Sequence, residues 1–238
     1  MEGGRGGSLT AKILMNQYGD PMLLAALSVS MLSWLLGPSL PEACPATESV
    51  INVYSTNPGF TVDHAKSRAE LGGLMGQKAF PGFYTQGLTD VTYSTAPRFL
   101  IASHELADGR WCASLKRANV EFGLGEPARV HIAREIPEES CRYVTVLAHE
   151  MQHVGISQRT VGNAVEELQR ALSNAAPKTS PAFGKSEEAA SDVLKASLQK
   201  IIDDVTRRYI ARAEFENASI DTRQSYEALS AQCPGSAY

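Results

Sequence analysis

The pattern of apolar residues changes once along the chain, and this change constrains the fold more than any other feature. Before residue 135 the apolar residues fall in short runs of β-branched and aromatic side chains, such as residues 50–55, which predict strands. After Ile136 they recur at helical spacing. At the change, Pro137 and the two glutamates that follow it are typical of a first helical turn. This order predicts an α+β fold, with a small mixed β-sheet in the N-terminal half followed by a helical C-terminal region.

The positions of the other elements follow from the same patterns. Further strands are predicted at residues 89–94, 98–103, 110–122 and 128–133, and a short helix at 63–74. Helices are predicted at residues 137–156, 163–174 and 186–219. Gly155 and the capping-box pattern at Asn163 favour a break between the first two of these helices. The alternative is one unbroken helix to Asn174.

An uncharged apolar run at residues 22–36 separates the N-terminus from the rest of the chain. It is shorter than the roughly 20 residues that span a bilayer, but it suits an export signal. We therefore expect residues 1–46 to be a signal peptide or N-terminal anchor, and residues 47–238 to form a single domain. The protein is then secreted or periplasmic, or membrane-attached through this segment if it is not cleaved.

Composition and motifs exclude several classes of function. A formal net charge of -4 provides no basic surface, so no nucleic-acid partner is expected. The chain contains neither a P-loop nor a Gly-x-Ser-x-Gly turn, so nucleotide chemistry and serine-hydrolase chemistry lack support.

Four cysteines, none of them in a Cys-x-x-Cys pair, indicate disulfides more than a structural zinc knuckle. We expect Cys112 to pair with Cys141, and Cys44 with Cys233. Four free thiols would argue against export.

The segment His149-Glu150-Met151-Gln152-His153 carries the chemistry. Histidines four positions apart lie one above the other on a helix, so both rings can reach one ion. In such HExxH helices the histidines bind Zn²⁺, which acidifies water, and the glutamate acts as general base. We therefore expect His149 and His153 to be zinc ligands and Glu150 to be catalytic.

The face of this helix on which the histidines lie supports the prediction. The apolar stripe is expected to comprise Val144, Leu147, Ala148, Met151 and Gly155. His149 and His153 point roughly opposite to it, toward solvent or a cleft. The alternative to a metal site is an exposed helix face that carries two unrelated histidines.

The segment from Thr145 to His153 resembles the active-site helix of the zincin metallopeptidases. Residues 129–132 resemble the edge strand along which zincins align an extended substrate. The layout is similar to that of uncharacterised bacterial exported proteins regarded as secreted zinc proteases. The resemblance implies peptidase activity on a peptide, protein or peptidoglycan-peptide substrate.

A catalytic zinc site needs a third protein ligand. Arg159 stands where the longer metzincin motif has a histidine, so that group does not fit. Glu188-Ala-Ala-Ser-Asp192 resembles the gluzincin pattern, and Glu188 is our first choice, although acidic residues after Ser186 also suit a plain helix start. The other candidates are Asp203 and Asp204, if the HExxH helix is unbroken, and Asp221, if the tail folds back.

Three functions are consistent with these features. The first is an exported zinc metallopeptidase, and the second is a zinc hydrolase of another bond, such as an amide of the cell wall. The third is a non-catalytic binding or structural protein of the cell envelope with a zinc-stabilised helix.

Overall fold

The computed structural model describes residues 43–75 and 84–234. These residues form strands in the N-terminal half and long helices after them, which confirms the α+β class. The strands are β1 (Val50–Thr56), β2 (Phe60–Asp63), β3 (Gly87–Asp90), β4 (Tyr93–Glu105), β5 (Trp111–Leu124), β6 (Ala128–Ile132) and β7 (Ala182–Gly184). The helices are α1 (Arg68–Met75), α2 (Cys141–Thr179), α3 (Glu187–Ile220) and α4 (Arg223–Ala231).

The strands form two small sheets where the sequence predicted one. In the first, the order is β1-β5-β4, with β1 parallel and β4 antiparallel to β5, and β7 pairs with the start of β5. In the second, the order is β2-β6-β3, with β2 parallel and β3 antiparallel to β6. Both sheets are mixed, and β3 is an edge strand among the described strands.

Several strand boundaries differ from the prediction. β4 runs through Pro97, where a break was expected, because β4 is a sheet edge and a proline there removes no ladder hydrogen bond on its free side. The helix expected at residues 63–74 starts later, since residues 60–63 form β2. α4 was not predicted.

The predicted break in the HExxH helix is wrong, because α2 is continuous over 39 residues. It begins after Ser140, whose Oγ accepts a hydrogen bond from the Tyr143 amide at 3.1 Å, and not at Pro137. Gly155 and Gly162 are tolerated although a helical glycine costs about 1 kcal/mol, because packing dominates helix stability in proteins. α3 begins after Ser186 as predicted.

α2 and α3 pack antiparallel and bury leucines of both helices, among them Leu168, Leu172, Leu194 and Leu198. β7 and its flanking residues form the turn between them, near residue 185. The start of α2 therefore lies against the end of α3.

Two disulfides are present, but their pairing is not the one predicted. Cys44 pairs with Cys112, and Cys141 with Cys233. Cys141 opens α2 and faces the segment that follows α4, not β5. Cys44 lies before residue 47, the expected start of the domain, and the disulfide joins it to β5. The expected apolar export segment lies outside the described residues, and no described helix is long and apolar enough to cross a membrane.

Candidate functional site

The HExxH residues lie on the buried face of α2, which corrects the predicted apolar stripe. Val144, expected to be on that stripe, is 63% exposed, whereas His149 is only 4% exposed and His153 only 9%. The face opposite the expected stripe is covered by the end of α3 and by α4. The buried face of this helix therefore carries the two histidines and Glu150 beside apolar residues such as Val146 and Val154, which excludes the alternative of two unrelated surface histidines.

Both histidines point at one carboxylate, that of Asp221. Its Oδ1 lies 3.0 Å from His149 Nε2 and 3.2 Å from His153 Nε2. Asp221 is the C-cap of α3, so the end of that helix delivers the carboxylate to the start of α2. These three side chains form the group of metal-ligating atoms found among the described residues, with all three atoms within 4.8 Å of one another.

The structure does not bring Glu188 to the histidines. Glu188 is exposed in the first turn of α3, and the 33 positions up to Asp221 correspond to roughly 50 Å of helix. Asp203 and Asp204 lie on the surface of α3, where they contact Gln199 and Lys200. Asp221, one of the alternatives considered, therefore replaces Glu188 as the candidate third ligand.

The chemistry of the three ligand atoms and two of the three distances between them fit a zinc ion. Two imidazole nitrogens and one carboxylate oxygen form a donor set of the catalytic type, with a position left open. With tetrahedral bonds of about 2.0–2.1 Å, neighbouring ligand atoms lie about 3.3 Å apart, close to the two distances between Asp221 and the histidines.

Hydrogen bonding at His153 indicates a cation between its ring and Asp221. Its Nδ1 donates to Oδ1 of Asn217 at 2.9 Å, because an amide oxygen only accepts. In a neutral ring the lone pair then sits on Nε2 and faces the Asp221 carboxylate. Two lone pairs at this distance need a cation between them, either a further proton or a metal ion. Asn217 also fixes the ring orientation that a metal ligand requires.

Without a metal, a proton fills this role. Burial alone lowers the pKa of His153, but hydrogen bonds with Asp221 and Asn217 outweigh it and raise the pKa to about 9. Burial alone raises the pKa of Asp221, but hydrogen bonds from His149 and His153 hold this pKa well below its usual range. Tyr226 donates to Asp221 Oδ1 at 2.8 Å, and burial together with that carboxylate raises the pKa of its phenol.

Glu150 is buried between the histidines and β3. Burial raises the pKa of its carboxyl, with the charge of His153 opposing the shift. Thr89 Oγ1 donates to Glu150 Oε2 at 2.8 Å and so fixes the carboxylate. A raised pKa is the direction that favours a carboxylate as general base.

Two hollows open on either side of Glu150, and both are lined by Gly87, Asp221 and Tyr226. The first, here the apolar hollow, has a volume of about 430 Å³. Its apolar lining includes Met75, Tyr84, Val146, Ala218 and Leu229, and Gln86, Arg142 and Glu214 are among its polar lining residues. The second, here the mixed hollow, has about 540 Å³ and is lined by Thr89, Asp90, Tyr93 and Ser157 among others.

The edge strand beside the site is β3, not the strand expected. Residues 129–132 belong to β6, which lies between β2 and β3. Bonding alternates along the antiparallel pair, and the Ala133 amide donates to Gln86 O at 2.8 Å. Gly87 and Thr89 therefore direct their backbone N–H and C=O groups away from β6, along the cleft.

Asn217, Tyr226 and Thr89 are site residues that the sequence did not reveal. One signal was available: Asn217 and Asp221 are four positions apart, the spacing of the histidines that they face. Nothing local marks Thr89 or Tyr226, which reach the site only through tertiary packing.

Comparison of the chain with family models, curated proteins and solved structures gives no significant match.

Proposed function

We propose that this protein is an exported zinc-dependent hydrolase of the metallopeptidase type. The observation that carries the proposal is the convergence of His149, His153 and Asp221 beside a buried, hydrogen-bonded Glu150. Three protein ligands with an adjacent carboxylate base are the arrangement of catalytic zinc sites.

Each residue has a separate role in this proposal. His149, His153 and Asp221 hold the ion, and Asn217 keeps His153 in the tautomer that leaves Nε2 free. The zinc supplies a Lewis acid that acidifies water and polarises a carbonyl. Glu150 accepts the proton from the attacking water and passes it to the leaving amine, while Thr89 holds the carboxylate in place.

The free edge of β3 supports peptides as the substrate class. An extended peptide can add to such an edge through its backbone, as in β-strand addition. At Gly87 and Thr89 the edge runs directly past Glu150, so a scissile amide in that peptide would lie beside the base. This is the role that the zincin resemblance implies for an edge strand, transferred from β6 to β3.

The disulfides are typical of an oxidising compartment. We propose secretion or transfer to the periplasm, where proteins, peptides and the peptide bridges of peptidoglycan are the available substrates.

The test combines metal content with turnover. The protein purified with zinc is assayed by elemental analysis and with a quenched-fluorescent peptide library. We expect one zinc per chain and hydrolysis, and Glu150→Gln should retain the zinc while losing about 10²- to 10⁴-fold in rate. Asp221→Ala should lose the metal. Glu188→Gln is the matched control, because the same kind of carboxylate is removed outside the site, and it should retain both properties. Full activity in Glu150→Gln would contradict the proposal.

A second candidate is a non-catalytic envelope protein, favoured by one specific observation. Protons alone can join His149, Asp221 and His153 into a buried ion-paired cluster that fastens the end of α3 to α2. In that case the protein binds no zinc at micromolar concentration and hydrolyses nothing, while Asp221→Ala lowers only its stability. A zinc with four protein ligands would also favour this candidate.

A further inference from the structure

The two hollows beside Glu150 differ in chemistry, and this difference bears on which peptides the site accepts. Most of the surface that lines the apolar hollow is aliphatic or aromatic, although Arg142 and Glu214 also line it. The mixed hollow has a larger polar share, to which Asp90 and Ser157 contribute. A peptide lying along β3 past Glu150 would place the side chains on the two sides of its scissile bond near unlike walls.

Val146 fixes the position of the apolar hollow relative to the chemistry. It lies one helical turn before Glu150 on α2 and is 7% exposed, so its side chain stands next to the carboxylate. Both side chains lie against the same residue of β3, since a Cβ on Gly87 would come within 2.7 Å of Val146 Cγ1 and 2.5 Å of Glu150 Oε1. The opposite wall includes Leu229 of α4.

The size of the apolar hollow also indicates a binding site for a ligand. Protein interiors are packed with few voids larger than a water molecule, whereas sites for small ligands measure about 300–1,000 Å³. A space of about 430 Å³ with mostly apolar walls falls in the second range. Leu229 is only partly buried, so the hollow lacks the closed lining of a packed core.

We propose that the apolar hollow is a specificity pocket for a bulky apolar side chain directly beside the scissile bond. The inference rests on the proposed peptidase function and names its substrate class: peptides with leucine- or phenylalanine-like residues at that position. Val146 and Leu229 are its specificity-determining residues. Removing such a side chain from water is the source of the preference, and differences of one or a few carbons in an apolar pocket are worth about 10- to 200-fold in kcat/KM.

The experiment fills the pocket from its α4 wall. Leu229→Trp is compared with the wild type on peptides that differ only in Ala, Leu or Phe at each position flanking the cleaved bond. Leu100→Trp is the control, because Leu100 is 58% exposed on β4 and lines neither hollow. The wild type and Leu100→Trp should prefer Leu or Phe over Ala by at least about tenfold at one position. Leu229→Trp should lose most of that preference and still cleave the Ala peptide. A preference unchanged in Leu229→Trp would overturn the inference.

A binding measurement separates failure of this inference from failure of the proposed function. N-acetylphenylalaninamide and N-acetylalaninamide are titrated into Glu150→Gln, with the methyl resonances of Val146 and Leu229 followed by NMR. The aromatic amide should shift these resonances at lower concentration than the alanine amide, and Leu229→Trp should abolish the difference. Peptide hydrolysis without side-chain preference would refute the pocket alone. Absence of hydrolysis would refute the proposed peptidase function. If the two amides then also bind equally, the proposed specificity pocket is refuted as well.

Discussion

Gly87 lies where β3 passes over Glu150, and the structure leaves no space there for a side chain. A Cβ there would lie 2.5 Å from Glu150 Oε1 and 2.7 Å from Val146 Cγ1. Glu150 is held by Thr89 and Val146 is buried, so neither can move aside freely. The closeness of β3 to α2, which puts the strand edge beside the base, therefore depends on a glycine at this position.

We predict that Gly87→Ala displaces the Glu150 carboxylate. Peptidase activity should fall by at least tenfold, since small misplacements of catalytic groups are costly. The free energy of unfolding should fall by about 1–3 kcal/mol through overpacking. Peptide turnover measures the activity, and urea denaturation measures the free energy of unfolding.

Gly162→Ala is the matched control for this substitution. Gly162 is exposed within α2 and a Cβ there meets nothing within 4 Å. This variant should retain activity and gain about 0.5–1 kcal/mol of stability from helix propensity. Equal effects of the two alanines would mean that β3 is not held against Glu150 as described.

At the residue scale, the sequence was sufficient wherever the chemistry is local. Spacing within one helical turn places His149, Glu150 and His153 side by side, so this part of the candidate site could be recognised without a structure. Asp221 could not be singled out, because no local pattern distinguishes it from Glu188. Only the pairing of two helices decides which carboxylate meets the histidines.

At the element scale, that pairing depends on where α2 ends. With a helix ending at Asn174, His153 was expected to face a position near 205 on the next helix. α2 continues to Thr179, and β7 lies in the turn, so the facing position moves toward the C-terminus, to Asn217. The longer α2 and the β7 turn together move the facing position by 12 residues, about three turns of α3.

α4 forms one wall of the site without a buried residue of its own. The Cys141–Cys233 disulfide ties the segment after it to the start of α2, and Tyr226 ties it to Asp221. A helix whose side chains are at most partly buried has little packing to hold it in place. We therefore expect this disulfide to keep α4 over the cleft.

The prediction is tested by removing each disulfide separately with serine pairs. Cys141→Ser with Cys233→Ser should raise amide hydrogen exchange throughout α4 and reduce zinc affinity about tenfold or more. Cys44→Ser with Cys112→Ser is the control, because its loop of 68 residues is comparable with the 92 of the other. Each pair should cost about 2–5 kcal/mol of stability, but only the first should change α4. Equal exchange in α4 for both variants would contradict this role.

At the scale of the whole molecule, the α+β order was predictable because it needs only the change of period near residue 136. The division into two sheets was not predictable. The strands at residues 128–132 and 111–124 have similar sequence patterns, but they pair with different neighbours. The disulfide pairs also escaped prediction, because they join segments separated by 68 and 92 residues, and only the tertiary fold brings those segments together.

The second sheet, which carries β3 to α2, contains a cluster of charged side chains whose residues line neither hollow. Asp63 Oδ2 lies 2.9 Å from Lys66 Nζ and 2.9 Å from Nδ1 of His131, a fully buried residue of β6. The hydrogen bond from Lys66, followed by that from the Ala65 amide, lowers the pKa of Asp63 to about 2. Burial, more than the charge of Lys66, lowers the pKa of His131, so the histidine favours its neutral form.

The lowered pKa of Asp63 predicts how the molecule responds to acid. An unfolded aspartate has a pKa of about 3.9, so the unfolded chain takes up this proton first as the pH falls. The stability that Asp63 contributes is therefore fully present above about pH 4 and is lost as the pH falls toward 2. Because the side chain is partly exposed, we expect Asp63→Asn to cost about 1–2 kcal/mol at pH 7.

Urea denaturation of the wild type and Asp63→Asn between pH 7 and pH 2.5 provides the measurement. The difference in unfolding free energy should persist down to about pH 5 and close between pH 4 and 2, because the wild-type carboxylate is then protonated and resembles the amide. Asp192→Asn is the control, since Asp192 pairs with Lys195 on the exposed surface of α3 and should change stability little at any pH. The contrary result is a loss of unfolding free energy in Asp63→Asn that is as large at pH 2.5 as at pH 7. That loss would then come from packing and not from the charge of Asp63, and the acid sensitivity of the molecule would originate elsewhere.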